Sequence, residues 1–109
     1  MALYLYQLSY TADSWKAQIQ SPADVRERVR AAGEKLGGRV VDIWYSLGEY
    51  DLVALLEYPD NVTVAAGSIL IIAGGAIKNA KTTPLMTIEE GMAAMQRAGE
   101  AAGLYKPSV

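Results

Sequence analysis

The N-terminal part of the chain alternates in a way that is typical of a β-strand. Residues 3–10 place Leu3, Leu5, Gln7 and Ser9 on one side and Tyr4, Tyr6, Leu8 and Tyr10 on the other. A period of two residues indicates a strand. Because large apolar side chains occur in both sets, we expect both faces of this strand to be covered.

Helical periodicity follows this strand. Trp15 and Ile19 are four residues apart in a short polar stretch, which favours one or two helical turns. A longer helix is predicted next, with Ser21 as its cap, Pro22 at its first position and Asp24 in its first turn. Its apolar stripe consists of Val25, Val29, Ala32 and Leu36. The glycine pair Gly37 and Gly38 ends the helix.

Two further strands are predicted over residues 40–47 and 52–58, which are rich in Val, Ile, Leu and aromatic residues. Only Gly-Glu-Tyr-Asp at 48–51 separates them, so they should form an antiparallel hairpin. Gly supplies the left-handed backbone of a tight turn, and Asp favours turn ends. Turn chemistry therefore explains two of the four residues, although a phenol between two carboxylates is also a candidate binding group.

The stretch from residue 61 to residue 77 carries no charged side chain. Asp60 or Asn61 should cap a helix here that ends at Gly74 and Gly75. A membrane span is not favoured, because it needs about 20 predominantly apolar residues. Since the helix is apolar almost all round, one sheet cannot cover it, and we expect a second contact surface at a subunit interface.

The C-terminal third predicts one more strand and one more helix. The strand lies within residues 77–86, where Pro84 indicates an edge position or a strand end. Thr87 and Glu90 form a capping box that opens a helix running through Met92, Met95 and Ala102. Residues 104–109 are expected to lie on the surface or to reach a partner subunit.

This order of elements predicts an α+β protein of the ferredoxin-like type. The order is βαββαβ with an added C-terminal helix, and it makes a four-stranded antiparallel sheet with helices on one face. Because the strands are apolar on both faces, the open face should be buried by another chain. Face-to-face pairing of two sheets is the simplest solution, so we expect a homodimer or a higher homo-oligomer.

The residue inventory excludes several kinds of chemistry. The chain has 109 residues, no Cys, no His and a net charge of -2. Disulfides, thiolate nucleophiles, Cys/His zinc sites, imidazole catalysis and histidine-ligated haem are therefore excluded, and we expect no cofactor and no metal. The charge balance does not favour nucleic acid as a partner. Without the features of a signal peptide at its start, the chain is predicted to be cytoplasmic.

A longer motif surrounds the hairpin turn. It reads Leu-Gly-Gly-Arg at 36–39 and Asp-Ile-Trp-Tyr-Ser-Leu-Gly-Glu-Tyr-Asp-Leu-Val at 42–53, and Pro-Asp follows at 59–60. This block resembles the GYD domain family, which is named for the Gly, Tyr and Asp of the turn. The likeness implies a dimeric α+β barrel. The length of 109 residues fits a single domain over residues 1–109, with a core over 3–90, where the likeness holds, and a C-terminal helix and tail over 88–109.

Relatives with this broader fold bind small organic molecules in a pocket lined by the sheet and helices. They include cofactor-free monooxygenases, small lactone isomerases and sensory domains that bind amino acids at a subunit contact. The resemblance implies no particular reaction for this chain. Three functions stay open: a small-molecule-binding protein, a cofactor-free isomerase or monooxygenase, and a structural or assembly protein.

Six side chains are candidates for ligand binding, and no catalytic residue is assigned. Asp42 is the most informative, because it alternates with Val40 and Trp44 and so must be paired or reach an opening. Its predicted partners are Arg39, Lys78 or Lys81. Tyr50 and Asp51 either orient a ligand or serve the turn itself. The full set is Gln7, Trp15, Asp42, Trp44, Tyr50 and Asp51.

Overall fold

The structure of the chain, a computed structural model, describes residues 1–108. Its strands are β1 (Ala2–Tyr10), β2 (Arg39–Tyr45), β3 (Leu52–Tyr58) and β4 (Ile77–Leu85). Its helices are α1 (Ala12–Gln20), α2 (Val25–Lys35), α3 (Asn61–Ala73) and α4 (Ile88–Ala101), and a short 3₁₀ turn over Ala102–Leu104 follows α4. The predicted element types are confirmed throughout this range.

The four strands form one antiparallel sheet in the order β2-β3-β1-β4. This is the strand order of the ferredoxin-like fold, so the predicted fold class is confirmed. Both β2 and β4 are edge strands, and Pro84 lies in β4 as predicted. The ladder pairs Leu3 with Glu57 and Leu85, and Gln7 with Val53 and Lys81.

The start of α2 differs from the prediction. The cap is Asp24, whose side chain accepts a hydrogen bond from the backbone N–H of Arg26, whereas Ser21 closes the end of α1. Pro22 therefore lies in the connection between the two helices. Two residue types that favour helix starts occur within four positions, and only Asp24 stands one residue before the apolar stripe of α2.

A bulge in β2 corrects the predicted face of Asp42. The register between β2 and β3 shifts between Val40 and Asp42, so that Val40 pairs with Leu56 and Asp42 with Leu55. These two neighbours in β3 point to opposite faces, and Val40 therefore does not share a face with Asp42. The bulge inserts one residue and reverses the alternation beyond it.

The core lies between the sheet and the helices that cover one face of it. Its buried side chains are Tyr4, Tyr6, Leu8, Tyr10, Leu52, Ala54 and Tyr58 from the central strands, together with Val25 of α2 and Val64 of α3. Tyr58 fills the space where the Gly38 backbone and α3 approach the sheet. A methyl group on Gly38 would lie 2.4 Å from the Tyr58 ring, and one on Gly67 would lie 3.3 Å from the Tyr58 hydroxyl. Glycine at these positions is therefore what allows the close contact.

Helix α4 begins with the predicted capping box. The Thr87 side chain accepts a hydrogen bond from the Glu90 backbone N–H, and the Glu90 carboxylate accepts one from the Thr87 N–H. No residue of α4 is buried. The predicted tail over 104–109 is exposed as far as Ser108, and Val109 lies outside the described residues. None of the helices within residues 1–108 is long and apolar enough to cross a membrane.

Candidate functional site

The Gly-Glu-Tyr-Asp turn is tied to the end of β1 by hydrogen bonds. The Asp51 carboxylate accepts from the Tyr10 N–H at 2.9 Å, and the Asp51 N–H donates to the Leu8 carbonyl at 2.8 Å. The Ser9 hydroxyl donates to the Glu49 carbonyl at 2.7 Å. Gly48 has a φ of +119°, which favours glycine. This geometry continues the β1–β3 ladder by one further step, with the Asp51 side chain in place of a backbone carbonyl.

Trp15 lies in an aromatic cluster on the helix side of the sheet. Its ring packs edge-to-face on Tyr10, with ring centroids 5.1 Å apart, and lies 6.5 Å from the ring of Tyr45. Such edge-to-face pairs add to the energy of apolar burial. The cluster joins α1 to the sheet, and the indole is half-buried within it.

Three other predicted site residues share the face of the sheet that carries no helix, which we call the open face. Gln7 and Trp44 lie in one row across it, since each of them pairs with Val53. Asp42 lies in the next row and is exposed; its carboxylate accepts a hydrogen bond from the N–H of its neighbour Ile43. Arg39 pairs with Glu57, so this predicted partner of Asp42 is already engaged.

The lysines predicted as partners of Asp42 are also distant within the chain. Both Lys78 and Lys81 belong to β4, at the opposite edge of the sheet from β2. Two strands separate these edges, at about 4.8 Å per strand. Neither of these two lysines can therefore pair with Asp42 of the same chain.

A first cleft lies at the edge of the sheet, beside the start of α2. It has a volume of about 300 Å³ and is lined by Ala23, Asp24, Val25, Arg26, Ile43, Trp44, Tyr45 and Leu52. Its two charged groups are paired, because Arg26 bonds Asp24 at 2.8 Å. The hydrogen bond from the Arg26 side chain, together with that from its backbone N–H, lowers the pKa of Asp24 to about 2. This pair is exposed and already satisfied, so it offers little to a ligand.

A second cleft, which we call the α3 cleft, lies between α3, β1 and β4. Its volume is about 270 Å³, and it is lined by Tyr4, Asn61, Val64, Ala65, Ser68, Ile69, Thr82 and Pro84. None of these eight side chains carries a charge. An apolar wall with a few placed polar groups is the usual composition of a small-molecule site.

Hydroxyl groups at the base of the α3 cleft are held by α3. The Tyr4 hydroxyl donates to Asn61 Oδ1 at 2.7 Å, and the Tyr6 hydroxyl and Ser68 Oγ are 2.9 Å apart. Burial raises the pKa of Tyr6 above its usual value, although the hydrogen bond with Ser68 acts in the opposite direction. Tyr6 therefore stays protonated at neutral pH and can donate, but it is a poor base.

We compared the chain with models of known protein families. The GYD domain family matches it over residues 4–95. The chain belongs to the GYD domain family. This assignment confirms the resemblance seen in the residues around the hairpin turn.

The fold of this GYD domain is shared with solved structures. One of them, described as the crystal structure of FFRP-DM1, has a TM-score of 0.56 and 18% sequence identity, and covers 79% of this chain and 100% of its own. At this identity the likeness concerns the fold alone. No curated protein matches the chain.

None of the six side chains singled out in the sequence lines the α3 cleft of this GYD domain. Gln7, Asp42 and Trp44 lie on the open face or its edge, while Tyr50 and Asp51 lie in the hairpin loop. Asn61, Ser68 and Thr82 were missed. Ser68 carried a usable signal, because it is the one polar side chain within residues 64–73 of α3 and its hydroxyl needs a partner.

Proposed function

We propose that this GYD domain binds a small, uncharged organic molecule in the α3 cleft. The observation that carries the proposal is the composition of the cleft, which combines Val64, Ile69 and Pro84 with hydroxyl and amide groups and contains no charged side chain. A charged ligand would lose its hydration there without gaining a counter-ion. A mostly apolar ligand with one carbonyl or hydroxyl group fits this surface.

Polar groups in the cleft can orient such a ligand. Asn61 uses its Oδ1 to accept from Tyr4, and its Nδ2 donates to no group among residues 1–108. The Thr82 hydroxyl also lines the cleft. A ligand carbonyl that accepts from Asn61 would be held at the end of the cleft where α3 begins. Hydrogen bonds of this kind give specificity while the apolar wall supplies affinity.

The raised pKa values of the nearby tyrosines favour binding over catalysis. Burial raises the pKa of Tyr6 and of Tyr58, so neither phenol is suited to remove a proton at neutral pH. The cleft contains no carboxylate that could act in their place. A cofactor-free reaction at this position would therefore lack a general base.

A thermal-shift screen with uncharged metabolites at millimolar concentration tests the proposal. A ligand at 100 times its Kd stabilises the folded state by about 2.7 kcal/mol, which raises the melting temperature of a domain of this size by about 10 °C. Ala65→Trp fills the cleft and should abolish the shift, whereas Ala31→Trp on the exposed side of α2 should preserve it. The proposal fails if no metabolite stabilises the protein, or if Ala65→Trp leaves the shift unchanged.

The same proposal includes assembly through the open face. Leu3, Leu5, Val53 and Leu55 line the middle of this face and are only partly covered within the chain. An antiparallel sheet with one uncovered apolar face needs a further layer. A second copy supplies it when the two open faces pack against each other.

The charges on the open face favour one orientation of the two copies. Trp44 and Lys81 lie in the same row but at opposite edges, with Val53 and Gln7 between them. A two-fold axis parallel to the strands places β4 of one copy over β2 of the other. Lys81 then faces Trp44 and Asp42 of the partner subunit, which gives a cation–π contact and a counter-ion.

Native mass spectrometry at micromolar concentration tests this contact. The wild-type protein should be at least a dimer, and Leu5→Asp should lower the mass of the assembly by half or more. Leu47→Asp is the control, because Leu47 is 102% exposed in the hairpin loop and lies off the open face. The open-face dimer is contradicted if the wild-type protein is monomeric. It is also contradicted if the Leu5→Asp variant has normal circular dichroism and forms an assembly of unchanged mass.

A further inference from the structure

Helix α4 is well specified by its sequence but has no packing partner among residues 1–108. Its capping box is complete, yet Ile88 is 78% exposed and Met95 70% exposed. Apart from the 3₁₀ turn that directly follows it, α4 makes no more than marginal contact with any helix or strand within residues 1–108. Because an isolated helix shorter than about 12–15 residues is marginal in water, α4 needs tertiary contacts to be stable.

The polar and apolar residues of α4 are sorted onto opposite sides. Ile88, Met92 and Met95 follow the spacing i, i+4, i+7, and Gly99 continues their row. The charged residues Glu89, Glu90, Arg97 and Glu100 lie on the other side. This is the pattern of a helix that packs on an apolar surface, not of a solvated linker.

The overall shape shows that a large surface lacks a partner. The chain exposes 7881 Å², whereas a compact monomer of 11.7 kDa exposes about 5,900 Å². The radius of gyration is 17.7 Å, against about 13 Å for a compact chain of this length. If two copies each buried the surplus of about 2,000 Å², the interface would fall in the range of obligate dimers.

The outer side of α3 is the complementary surface. Val62 is 80% exposed and Ile69 67% exposed, and no charged residue occurs between residues 61 and 77. Val62, Ala66 and Ile69 repeat the spacing i, i+4, i+7 that Ile88, Met92 and Met95 follow on α4. The two helices also have similar lengths, with 13 and 14 residues. Matched apolar stripes of this period pack side by side.

Both helices begin at the same end of the sheet. Asn61, the first residue of α3, bonds Tyr4, which pairs with Pro84 near the end of β4. Helix α4 starts just beyond that end of β4. A two-fold axis near residues 86–87 would therefore lay each α4 along the α3 of the other copy, in the same direction, with Ile88 beside Val62 of the partner subunit.

We infer that α4 docks reciprocally on the outer side of α3 in a second copy of this chain, Met92 and Met95 packing on Ala66 and Ile69 of the partner subunit. This contact is separate from the open face, so two-fold pairing at both surfaces would build a tetramer. Ile69 also lines the α3 cleft. The exchanged helix would thus form an outer wall of the cleft. Any effect of this wall on ligand binding rests on the proposed function of the cleft, whereas the contact between α4 and α3 does not.

Engineered cysteines test the contact cleanly, because the natural chain contains no Cys. An affinity-tagged Ile69→Cys variant is mixed with an untagged Met95→Cys variant, dissociated, reassembled and oxidised mildly. We expect a covalent heterodimer of one chain of each kind. Ala31→Cys, exposed on α2, replaces Ile69→Cys in the control and should give no heterodimer with Met95→Cys.

The double variant Ile69→Cys/Met95→Cys tests whether α4 packs on α3 of its own chain instead of α3 of a second copy. A disulfide that forms within the monomer would overturn the inference, as would the absence of any heterodimer in the mixture. The crosslink should still form when both chains carry Leu5→Asp. The crosslink therefore tests the helix exchange by itself. Its result does not depend on whether the open faces pair or whether the ligand screen succeeds.

Assembly mass gives a second measurement that does not depend on cysteine geometry. Met92→Asp/Met95→Asp places charges in the proposed contact and should halve the mass of the assembly in native mass spectrometry, with loss of helical circular dichroism. Ala93→Asp/Gln96→Asp adds the same charges on the polar side of α4 and should leave the mass unchanged. Equal behaviour of the two double variants would contradict the contact.

Discussion

The two faces of the sheet are made by the same four strands but have different packing. On the helix-covered face, Tyr4 is 1% exposed and its hydroxyl bonds α3. On the open face, the neighbouring Leu5 remains partly exposed. Within residues 1–108, no buried side-chain nitrogen or oxygen lacks a hydrogen-bond partner. The covered face is therefore complete within one chain, whereas the open face and α4 keep apolar side chains exposed within residues 1–108.

This difference separates folding from association. Residues of the covered face should control the free energy of unfolding of a single chain, and those of the open face and α4 should control oligomeric state. The α3 cleft contains residues of both kinds. Its base is formed by buried side chains of the covered face, such as Tyr4, and its rim includes the exposed Ile69.

The largest expected effect comes from Tyr4→Ala. Removing this fully buried ring should lower the free energy of unfolding by about 3–5 kcal/mol, since a large cavity replaces it. Leu5→Ala, one residue along on the open face, should cost only about 1 kcal/mol in dilute protein. Urea unfolding followed by circular dichroism measures both. Equal losses at the two positions would break the distinction between the faces.

The next effect concerns the close approach of Gly38 to Tyr58. Gly38→Ala should lower the free energy of unfolding by about 1–3 kcal/mol, because its methyl group overlaps the Tyr58 ring and forces it to move. Gly103→Ala is the control, since its added methyl meets no side chain or backbone from elsewhere in residues 1–108 within 4 Å. A Gly38→Ala protein as stable as the wild type would show that the Tyr58 ring can move aside without loss of packing.

A third prediction separates the two acidic residues of the hairpin turn. Asp51→Ala leaves the Tyr10 N–H without its acceptor and should cost about 1–3 kcal/mol in chemical denaturation. Glu49→Ala should have little effect, because Glu49 contributes only its backbone carbonyl to the Ser9 hydrogen bond. Asp51→Asn keeps an acceptor oxygen and should fall between them. If Glu49→Ala proves the more damaging change, this account of the turn is wrong.

The smallest effect is a pH dependence at the start of α2. The hydrogen bonds from the Arg26 side chain and backbone lower the pKa of Asp24 to about 2, whereas an Asp in the unfolded chain has a pKa of about 3.9. The ionised carboxylate therefore stabilises the fold above about pH 4, and this contribution disappears as the pH falls towards 2. Denaturation midpoints between pH 2 and pH 5 should fall less steeply for Asp24→Asn, which keeps a cap, than for the wild type.

Much of the fold was predictable because the relevant signals are local. The alternation of β1, the cap at Asp60 and the capping box at Thr87 each involve residues a few positions apart. The start of α2 was misplaced because Ser21 and Asp24 both suit a helix start. The prediction that Asp42 shares a face with Val40 was wrong, although Trp44 does share its face, because a bulge is visible only in the register of two strands.

The candidate site was less predictable because it depends on distant pairs. Tyr4 and Asn61 are separated by 57 positions and Tyr6 and Ser68 by 62, so nothing local marks them as neighbours. The side chains chosen from the sequence were the conspicuous ones near the motif, and the structure distributes them over the open face, the aromatic cluster and the hairpin loop. Ligand roles for these six residues stay predictions.

The sequence by itself determined the types and order of the elements, the family, and the absence of cysteine and histidine chemistry, because periodicity, caps and residue identity need no third dimension. Only the tertiary structure decided which apolar face is covered, where the α3 cleft opens and which helix lacks a partner. The physical reason is that β1 and α3 are apolar on more than one side. One chain has enough helices to cover one face of its sheet, and the choice of that face follows from the contacts of all the elements together.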